Sequence, residues 1–288
     1  MHSLRTLSAS LVLLALPLTA QTTRTFVSAQ VGNDANSCVP TAPCRTFGRA
    51  ISLTLSGGEV IVLDSGGYGK FTVKQAITIQ APAGIYAGCT ADTCATVTAA
   101  LGDTVILRGL IFNGLGVSQS GILFNTGAVL HVENCIINGF GGNGIDANLN
   151  ASLFVNDTMI RNGGSGGISV GTGVASINRC RIEKNGGTAV LAHDNAHVTA
   201  SETVAAGNAA AGFDAESSAT LALENCISSG NGTGVAVGAG ATTRVSNSVV
   251  TNNTTGLFTG GGSLLTRVNN MVEGNGDNGS FNGTILAK

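Results

Sequence analysis

The stretch VILRGL at residues 105–110 decides the fold, because variants of it recur along the chain, next as LHVENC at residues 130–135. Each copy is a short alternating strand, a polar or glycine residue, and a small or apolar residue. The last residues of the copies lie 22 to 25 positions apart, at Leu110, Cys135, Thr158, Cys180, Thr203, Cys226, Ser248 and Met271. A second landmark keeps the same step at Gly121, Gly144, Gly167, Ala189, Gly212, Gly234 and Gly256. A fixed period of this length predicts stacked structural repeats.

Superposed copies contain two apolar columns. The first column comprises Leu107, Val132, Val155, Ile177, Ala200, Leu223, Val245 and Val268. The second comprises Val105, Leu130, Leu153, Ala175, Val198, Leu221 and Thr243. Alternate side chains of a strand share a face, so both columns are predicted to point inward, and parallel pairing of successive coils would place equivalent residues ~4.8 Å apart.

Two polar columns lie near the turns. In the first we expect side-chain amides to stack along the coils, and it comprises Asn134, Asp157, Arg179, Glu202, Asn225, Asn247 and Asn270. The second comprises Asn185, Asn208, Asn231 and Asn253, mostly beside glycine. Asn and Gly tolerate left-handed backbone, so the second column is predicted to form the turns that need it.

These units and their Gly-Ile strand starts resemble the right-handed parallel β-helix, or pectin-lyase-like, superfamily over about residues 60–271. The resemblance implies an all-β fold, a single-stranded right-handed parallel β-helix (solenoid) of about 9–11 coils with an N-terminal capping helix. Residues 25–63 resemble the capping segment of secreted members. This scaffold hosts many functions, so the resemblance indicates the fold and not the activity.

The chain is predicted to have three regions: a signal peptide at residues 1–20, an N-terminal cap at 21–58 and a β-helix domain at 59–288. Residues 1–20 combine Arg5 with an apolar stretch and small residues before residue 21, which is typical of a secretory signal. A buried or anchoring helix is the alternative, although the apolar stretch is shorter than the ~20 residues that span a membrane. We expect a secreted, periplasmic or cell-surface protein without a membrane span once the signal is removed.

The cap is predicted to contain a helix over residues 45–55. Phe47, Ile51 and Leu55 lie four positions apart there and would share one helical face. Such a helix would cover the open end of the strand stack, which repeat proteins need because exposed strand edges aggregate.

The cysteines fall into two classes. Cys38 and Cys44, and Cys89 and Cys94, are close pairs that we interpret as disulfides, with free thiols as the alternative. A zinc site is disfavoured, because no histidine lies near either pair. The remaining three share one column two coils apart, roughly 9.6 Å, which is too far for a disulfide, so we expect buried thiols at Cys135, Cys180 and Cys226.

Composition limits the partners. The chain has 288 residues with a formal net charge of −2 and no basic stripe, so nucleic acid is not an expected partner. A polysaccharide or a cell-surface glycan is the expected partner, and a monomer the expected state. Aromatic residues make up only 4% of the chain, which weakens the case for a sugar-stacking groove.

The resemblance implies two kinds of catalytic site to search for: that of lyases, with a calcium-binding carboxylate cluster and an Arg or Lys base, and that of hydrolases, with paired or triple Asp residues. Hydrolase carboxyls lie about 5 Å or about 6.5–9.5 Å apart. Glu133 and Glu224 are four coils apart, roughly 19 Å, and Asp146 and Asp214 three coils, roughly 14 Å. Neither pair can flank one glycosidic bond. We therefore expect no cofactor and no metal site, with calcium entering only under the lyase alternative.

The best polar cluster is His193, Asp194 and His197, with Glu216 one coil beyond His193. Imidazole beside carboxylate can move protons, so these four residues are the candidate catalytic set. Arg179 and Arg181 are the candidate substrate-binding residues, since they could attract an anionic sugar polymer. The alternative is a solvated loop with ordinary surface charges.

Two functions remain open from the sequence. The favoured one is a secreted β-helix scaffold, a non-catalytic surface or carbohydrate-binding protein, because no acidic pair matches a known catalytic arrangement. The alternative is an enzyme, a polysaccharide lyase or glycoside hydrolase that acts on an acidic polysaccharide.

Overall fold

The computed structural model describes residues 21–285 except 118 and 127, so the predicted signal peptide lies outside the described residues. The described chain folds as a right-handed parallel β-solenoid of about nine turns, which confirms the predicted fold class. Three parallel sheets run along it, and each turn of the chain contributes one short strand to each sheet.

The elements in chain order are β1 (Thr22–Val27), α1 (Phe47–Leu53), β2 (Thr54–Val62), β3 (Gly66–Gly67), β4 (Phe71–Val73), β5 (Ile77–Gln80), β6 (Ala87–Thr90), β7 (Ala95–Val97), β8 (Thr104–Arg108), β9 (Leu110–Asn113), β10 (Ile122–Phe124), β11 (Val129–Glu133), β12 (Ile136–Asn138), β13 (Ile145–Ala147), β14 (Ala151–Asn156), β15 (Met159–Arg161), β16 (Ile168–Val170), β17 (Gly173–Asn178), β18 (Arg181–Glu183), β19 (Val190–Ala192), β20 (His197–Ser201), β21 (Val204–Ala206), β22 (Ala211–Ala215), β23 (Thr220–Glu224), β24 (Ile227–Ser229), β25 (Thr233–Gly238), β26 (Thr242–Ser246), β27 (Val249–Thr251), β28 (Thr255–Gly260), β29 (Ser263–Thr266), β30 (Met271–Val272) and β31 (Gly283–Thr284).

From β2 to β30 every third strand joins the same sheet. The long sheet has the order β1-β2-β5-β8-β11-β14-β17-β20-β23-β26-β29-β31. The second sheet runs from β3 to β30, and the third, here called the nine-strand sheet, runs from β4 to β28. Because β1 pairs in parallel with β2, the N-terminal cap also supplies the first strand of the long sheet.

The core is the space enclosed by the three sheets. Both predicted apolar columns point into it and are buried from Val105 and Leu107 through Thr243 and Val245. The registers agree with the predicted period, since Leu107 pairs with Val132 and onward in steps of one coil. Strand alternation therefore predicted the inward face correctly over these coils.

The prediction was wrong for the last coil. Val268 was assigned to the inward column, but it is 77% exposed with a φ of 65°, and Thr266 is the residue that pairs with Val245. Met271 is also out of its predicted column, because the Asn270 side chain accepts the Ser248 N–H there. The prediction used a step of 23 residues from Val245, whereas the observed step is 21 and that of the preceding coil is 22. The last coil is one residue shorter than the preceding one because only two residues separate β28 from β29, whereas three separate β25 from β26.

The capping helix is shorter than predicted. Thr46 caps its start by accepting a hydrogen bond from the Arg49 N–H, and Phe47 and Ile51 are buried as expected. Leu55, however, is 40% exposed and lies in β2. The chain leaves the helix at Thr54, whose hydroxyl donates to the Ala50 carbonyl while its backbone becomes extended.

The two polar columns have the opposite roles to those predicted. The column from Asn134 to Asn247 supplies left-handed bends, with φ values of 48° to 52°. The amide ladder lies in the other column: Asn185 donates to Asn208 at 2.9 Å, Asn208 to Asn231 at 2.9 Å, and Asn231 to Asn253 at 3.0 Å. These four side chains are almost fully buried, so the ladder satisfies polar groups inside the solenoid.

The cysteine predictions are confirmed. Cys38 pairs with Cys44 and Cys89 with Cys94, with Cα–Cα distances of 4.6 and 5.8 Å. The three column cysteines are free and buried. Burial raises the pKa of the Cys135 thiol to about 12 and those of Cys180 and Cys226 to about 11, so these thiols stay protonated and unreactive.

The amide ladder is expected to stabilise the solenoid. Asn208→Ala removes the acceptor of the Asn185 N–H and side-chain amide and the donor to the Ile182 carbonyl. Each buried group left unpaired costs about 1–3 kcal/mol, so the free energy of unfolding should fall by about 2 kcal/mol or more. Asn156→Ala, on the outer face, should change it by no more than about 0.5 kcal/mol. Urea titration of both variants measures the free energy of unfolding. Equal decreases in the two variants would show that the ladder contributes no more to stability than an outer-face residue does.

The inward and outward faces can be tested at neighbouring positions. Val155 is fully buried, so Val155→Asp places a charge in the core and should prevent folding. Asn156 lies on the outer face, so Asn156→Asp should fold with a thermal midpoint near that of the wild type. Circular dichroism and size-exclusion chromatography distinguish the two. If Asn156→Asp unfolds and Val155→Asp does not, the register is wrong by one residue.

Candidate functional site

The predicted catalytic cluster lies at the bend between the nine-strand sheet and the long sheet. β19 ends at Ala192, and the chain then makes a tight turn in which the Ala196 N–H donates to the His193 carbonyl at 3.0 Å. Asp194 and Asn195 both have positive φ, 50° and 70°, as the two central residues of a type I′ turn require. Because the turn is this tight, Asp194 lies beside the imidazole of His193.

His193 contacts two oxygen atoms from two different coils. Its Nε2 lies 3.0 Å from the Ser169 hydroxyl, and its Nδ1 lies 2.8 Å from an Asp194 carboxylate oxygen. Ser169 is the central residue of β16, between the buried Ile168 and Val170, so its hydroxyl faces outward. Ser169 was not among the predicted site residues; strand alternation places its hydroxyl outward, and its partner one coil further on is Leu191, two residues before His193.

His197 belongs to a different sheet from Ser169. It opens β20 of the long sheet, and its Nδ1 lies 2.7 Å from the Thr220 hydroxyl one coil further on. The structure therefore pairs His193 with Ser169 and Asp194, and His197 with Thr220, so the two imidazoles have separate partners on adjacent faces.

Glu216 stacks one coil beyond His193, as the sequence predicts, because the His193 N–H bonds to Val170 and the Glu216 N–H to Ala192. The negative charge of the Glu216 carboxylate lies near Asp214, two residues earlier on the same outer face. Burial, together with the negative charge of Glu216, raises the pKa of Asp214 to about 6.

The two candidate substrate-binding arginines are held in exposed ion pairs. The Arg179 guanidinium makes two hydrogen bonds of 2.7 and 2.8 Å to Asp157 and holds the pKa of that carboxyl below its usual value. Arg181 bonds Glu183, two residues along the same strand, at 2.6 Å. Both guanidinium groups are thus already partnered by carboxylates.

A groove runs along the outer face of the long sheet. It consists of two adjoining cavities of about 400 and 300 Å³ that share Thr199, Ala222 and Arg244. This is the lower part of the size range of small-molecule sites, about 300–1,000 Å³. The remaining outward residues of the lining are Phe154, Val174, Ser176, His197, Ser201, Thr220, Glu224, Ser246 and Arg267, with Ile285.

The two ends of the groove differ in character. At one end the Phe154 ring stacks on His131, with ring centroids 4.8 Å apart and an interplanar angle of 11°. At the other end Glu224 accepts hydrogen bonds from Ser246 and Asn247, which lower its pKa and keep it ionised. Arg244 is exposed between these ends, and no carboxylate pairs with it among the described residues.

The described part of the chain holds no group of three His, Cys, Asp or Glu side chains placed to bind a metal ion. Within the same residues, no helix is both long and apolar enough to cross a membrane.

A family model described as "Right handed beta helix region" matches residues 120–277. No curated protein sequence is significantly similar to the chain. Among solved structures, XylC in complex with xylose aligns with a TM-score of 0.68 at 10% identity, over 86% of this chain and 69% of that one. The pectate lyase Pel9A aligns with a TM-score of 0.51 at 15% identity, over 86% of this chain and 68% of that one. At such low identity these structures show similarity of fold alone.

The raised pKa of Asp214 predicts a pH dependence of stability. Its carboxyl binds a proton more tightly in the folded than in the unfolded chain, so its contribution to stability falls as pH rises from the ordinary carboxyl pKa of 3.8 to about 6. Asp214→Asn should therefore raise the thermal midpoint at pH 7 and flatten its decline between pH 4 and pH 6.

Asp157→Asn is the control with the opposite sign. Arg179 lowers the pKa of Asp157, so this pair contributes at neutral pH and the contribution is lost as pH falls below the usual carboxyl range. Thermal melts of both variants from pH 3 to pH 7 provide the measurement. An Asp214→Asn midpoint that follows the wild type at every pH contradicts the assignment.

Proposed function

The chain belongs to the right-handed β-helix family, and from this premise we propose that it is a secreted scaffold protein that binds an acidic polysaccharide in the groove of its long sheet without cleaving it there. The observation that carries the proposal is the groove itself, which continues across successive coils and has at its centre Arg244, for which residues 21–285, apart from 118 and 127, supply no carboxylate partner.

The groove has the direction that a polymer requires. From Phe154 to Arg244 the lining advances four coils, or about 19 Å at ~4.8 Å per coil. A chain lying along the solenoid axis would meet a new outward side chain at each step. The cavity is therefore elongated rather than enclosed, which suits a linear polymer better than a small compact ligand.

The chemistry of the lining suits a sugar that carries carboxylates. Phe154 and His131 offer a stacked ring face for a pyranose, and the hydroxyls of Thr199 and Ser176 can exchange hydrogen bonds with sugar hydroxyls. Arg244 presents a planar fork of donors that matches a carboxylate. These features support a uronate polymer over a neutral one.

The lining also favours binding over cleavage. Glu224 is the carboxylate among the residues that line the two cavities, whereas a glycosidase of the paired-carboxyl kind uses two, about 5 to 9.5 Å apart. Hydrogen bonds to Ser246 and Asn247 lower the pKa of Glu224, so it is not suited to donate a proton near neutral pH.

We also propose that the protein is exported and is a monomer. The disulfide-bonded pairs Cys38–Cys44 and Cys89–Cys94 suit an oxidising compartment, where an extracellular polysaccharide would be met. The neighbouring XylC structure was solved with xylose, which supports, at the level of fold, the use of this scaffold for sugars.

The test is calorimetric titration of the protein with polygalacturonate and with the same polymer after reduction of its carboxyls. The wild type should bind the acidic polymer and not the reduced one, more weakly as salt rises. Arg244→Gln removes a charged hydrogen bond of about 1.5–3 kcal/mol and should weaken binding about tenfold or more.

Lys74→Gln is the matched control, because it removes the same charge from an exposed position outside the groove. Its affinity should equal that of the wild type. Equal binding of both polymers, or an Arg244→Gln affinity equal to the Lys74→Gln affinity, would contradict the proposal.

A further inference from the structure

Ser169, His193 and Asp194 form a chain of hydrogen-bonded side chains outside the groove. The Ser169 hydroxyl lies 3.0 Å from His193 Nε2, and Asp194 lies 2.8 Å from His193 Nδ1. If the Nδ1 proton is donated to the Asp194 carboxylate, Nε2 is left as an acceptor for the Ser169 O–H. This is the order of nucleophile, general base and orienting carboxylate in serine hydrolases.

Backbone pairing between coils fixes the positions of Ser169 and His193. Ser169 lies at the centre of a short strand paired on both sides, with Asp146 in one neighbouring coil and Leu191 in the other. The His193 N–H donates to the Val170 carbonyl at 2.9 Å, so the backbone from which the imidazole projects is fixed to the neighbouring coil. His193 stacks above Gly171, which has no side chain, and the ring can therefore reach back to the Ser169 hydroxyl.

Solvent reaches the site at the side chains of His193 and Asp194. The His193 side chain is 22% exposed and that of Asp194 64% exposed. Ser169 itself has little exposed area because the imidazole covers it, as expected for a hydroxyl engaged by its base.

We propose that Ser169 is the nucleophile of an ester-hydrolysing site, with His193 as its base and Asp194 as the group that orients the imidazole. The activity is additional to polysaccharide binding and uses none of the groove residues. Carboxylates surround the site, namely Asp146, Asp214 and Glu216 besides Asp194, so anionic substrates are repelled. Leu191 supplies an apolar neighbour, and the expected substrates are therefore neutral carboxylic esters.

The reaction balances with water as the co-substrate. The Ser169 hydroxyl oxygen bonds to the ester carbonyl carbon, and its proton moves to His193 Nε2. The bond from that carbon to the alcohol oxygen breaks, and the alcohol leaves with the proton from His193. Water, deprotonated by His193, then attacks the acyl-serine, which releases the carboxylic acid and restores the Ser169 hydroxyl.

The decisive experiment uses a neutral fluorophosphonate on the full-length protein. The Ser169 oxygen displaces fluoride at phosphorus, and the resulting O–P bond is located by peptide mass spectrometry of the wild type, which depends on no variant folding. We expect the label on the peptide that carries Ser169. No label, or a label only at other residues, overturns the proposal.

Turnover of p-nitrophenyl acetate gives the second readout. Ser169→Ala should abolish turnover and labelling, and His193→Gln should lower the labelling rate about 100-fold or more. Asp194→Asn should lower it less than His193→Gln does, because the base itself remains. Ser229→Ala, a serine on the outer side of another sheet, should match the wild type. Wild-type turnover by Ser169→Ala also overturns the proposal, and neither result bears on polygalacturonate binding.

Discussion

The parallel backbone pairing of each coil with the next is the interaction on which the rest of the structure depends. Its hydrogen bonds run along the solenoid axis, for example from the Ile122 N–H to Gly144 and from the Ile145 N–H to Gly167, at 3.0 and 2.9 Å. Since each strand is only three to six residues long in most coils, a strand satisfies its polar backbone through its neighbours and not within itself. The coils must therefore stay in register, and equivalent residues must share one environment from coil to coil.

Register constrains the inside far more than the bends. Inside, each position meets its equivalent about 4.8 Å away, so apolar residues stack on apolar residues and the amide of Asn208 finds that of Asn231. At the bend after each long-sheet strand the requirement is only a positive φ. Asn, Asp, Arg and Glu all occupy it, at a cost of about 1–2 kcal/mol for a residue other than glycine. The stacking on both sides of the bend offsets that cost.

This difference explains what the sequence could predict. The period and the two apolar columns fixed the fold, the sheet faces and the pairing of coils up to Val245, because packing repeats there without exception. The roles of the polar columns were not predictable from spacing, since an asparagine can satisfy either a ladder or a left-handed bend. The prediction for the last coil was wrong because it assumed a step of 23 residues from Val245, whereas the chain takes 21 there, with a bend one residue shorter than in the preceding coil. Ser169 was missed because a single serine in a strand stands out only when the register also shows that His193 lies close to it on the next coil.

The outer faces are where the sequence is free to differ, so function has to be sought there by geometry. Along the groove the outward residue changes from His131 through Phe154 to Arg244, while the inward neighbours remain apolar. Residue types alone do not distinguish a functional site from ordinary polar residues of the surface. The ion pair of Arg181 with Glu183 joins residues of one strand and can form on any exposed strand. The contact of His193 with Ser169 joins two coils, and it exists only because the stack holds them in register. A polar contact that depends on the fold in this way has a defined geometry, which is what both binding and catalysis require.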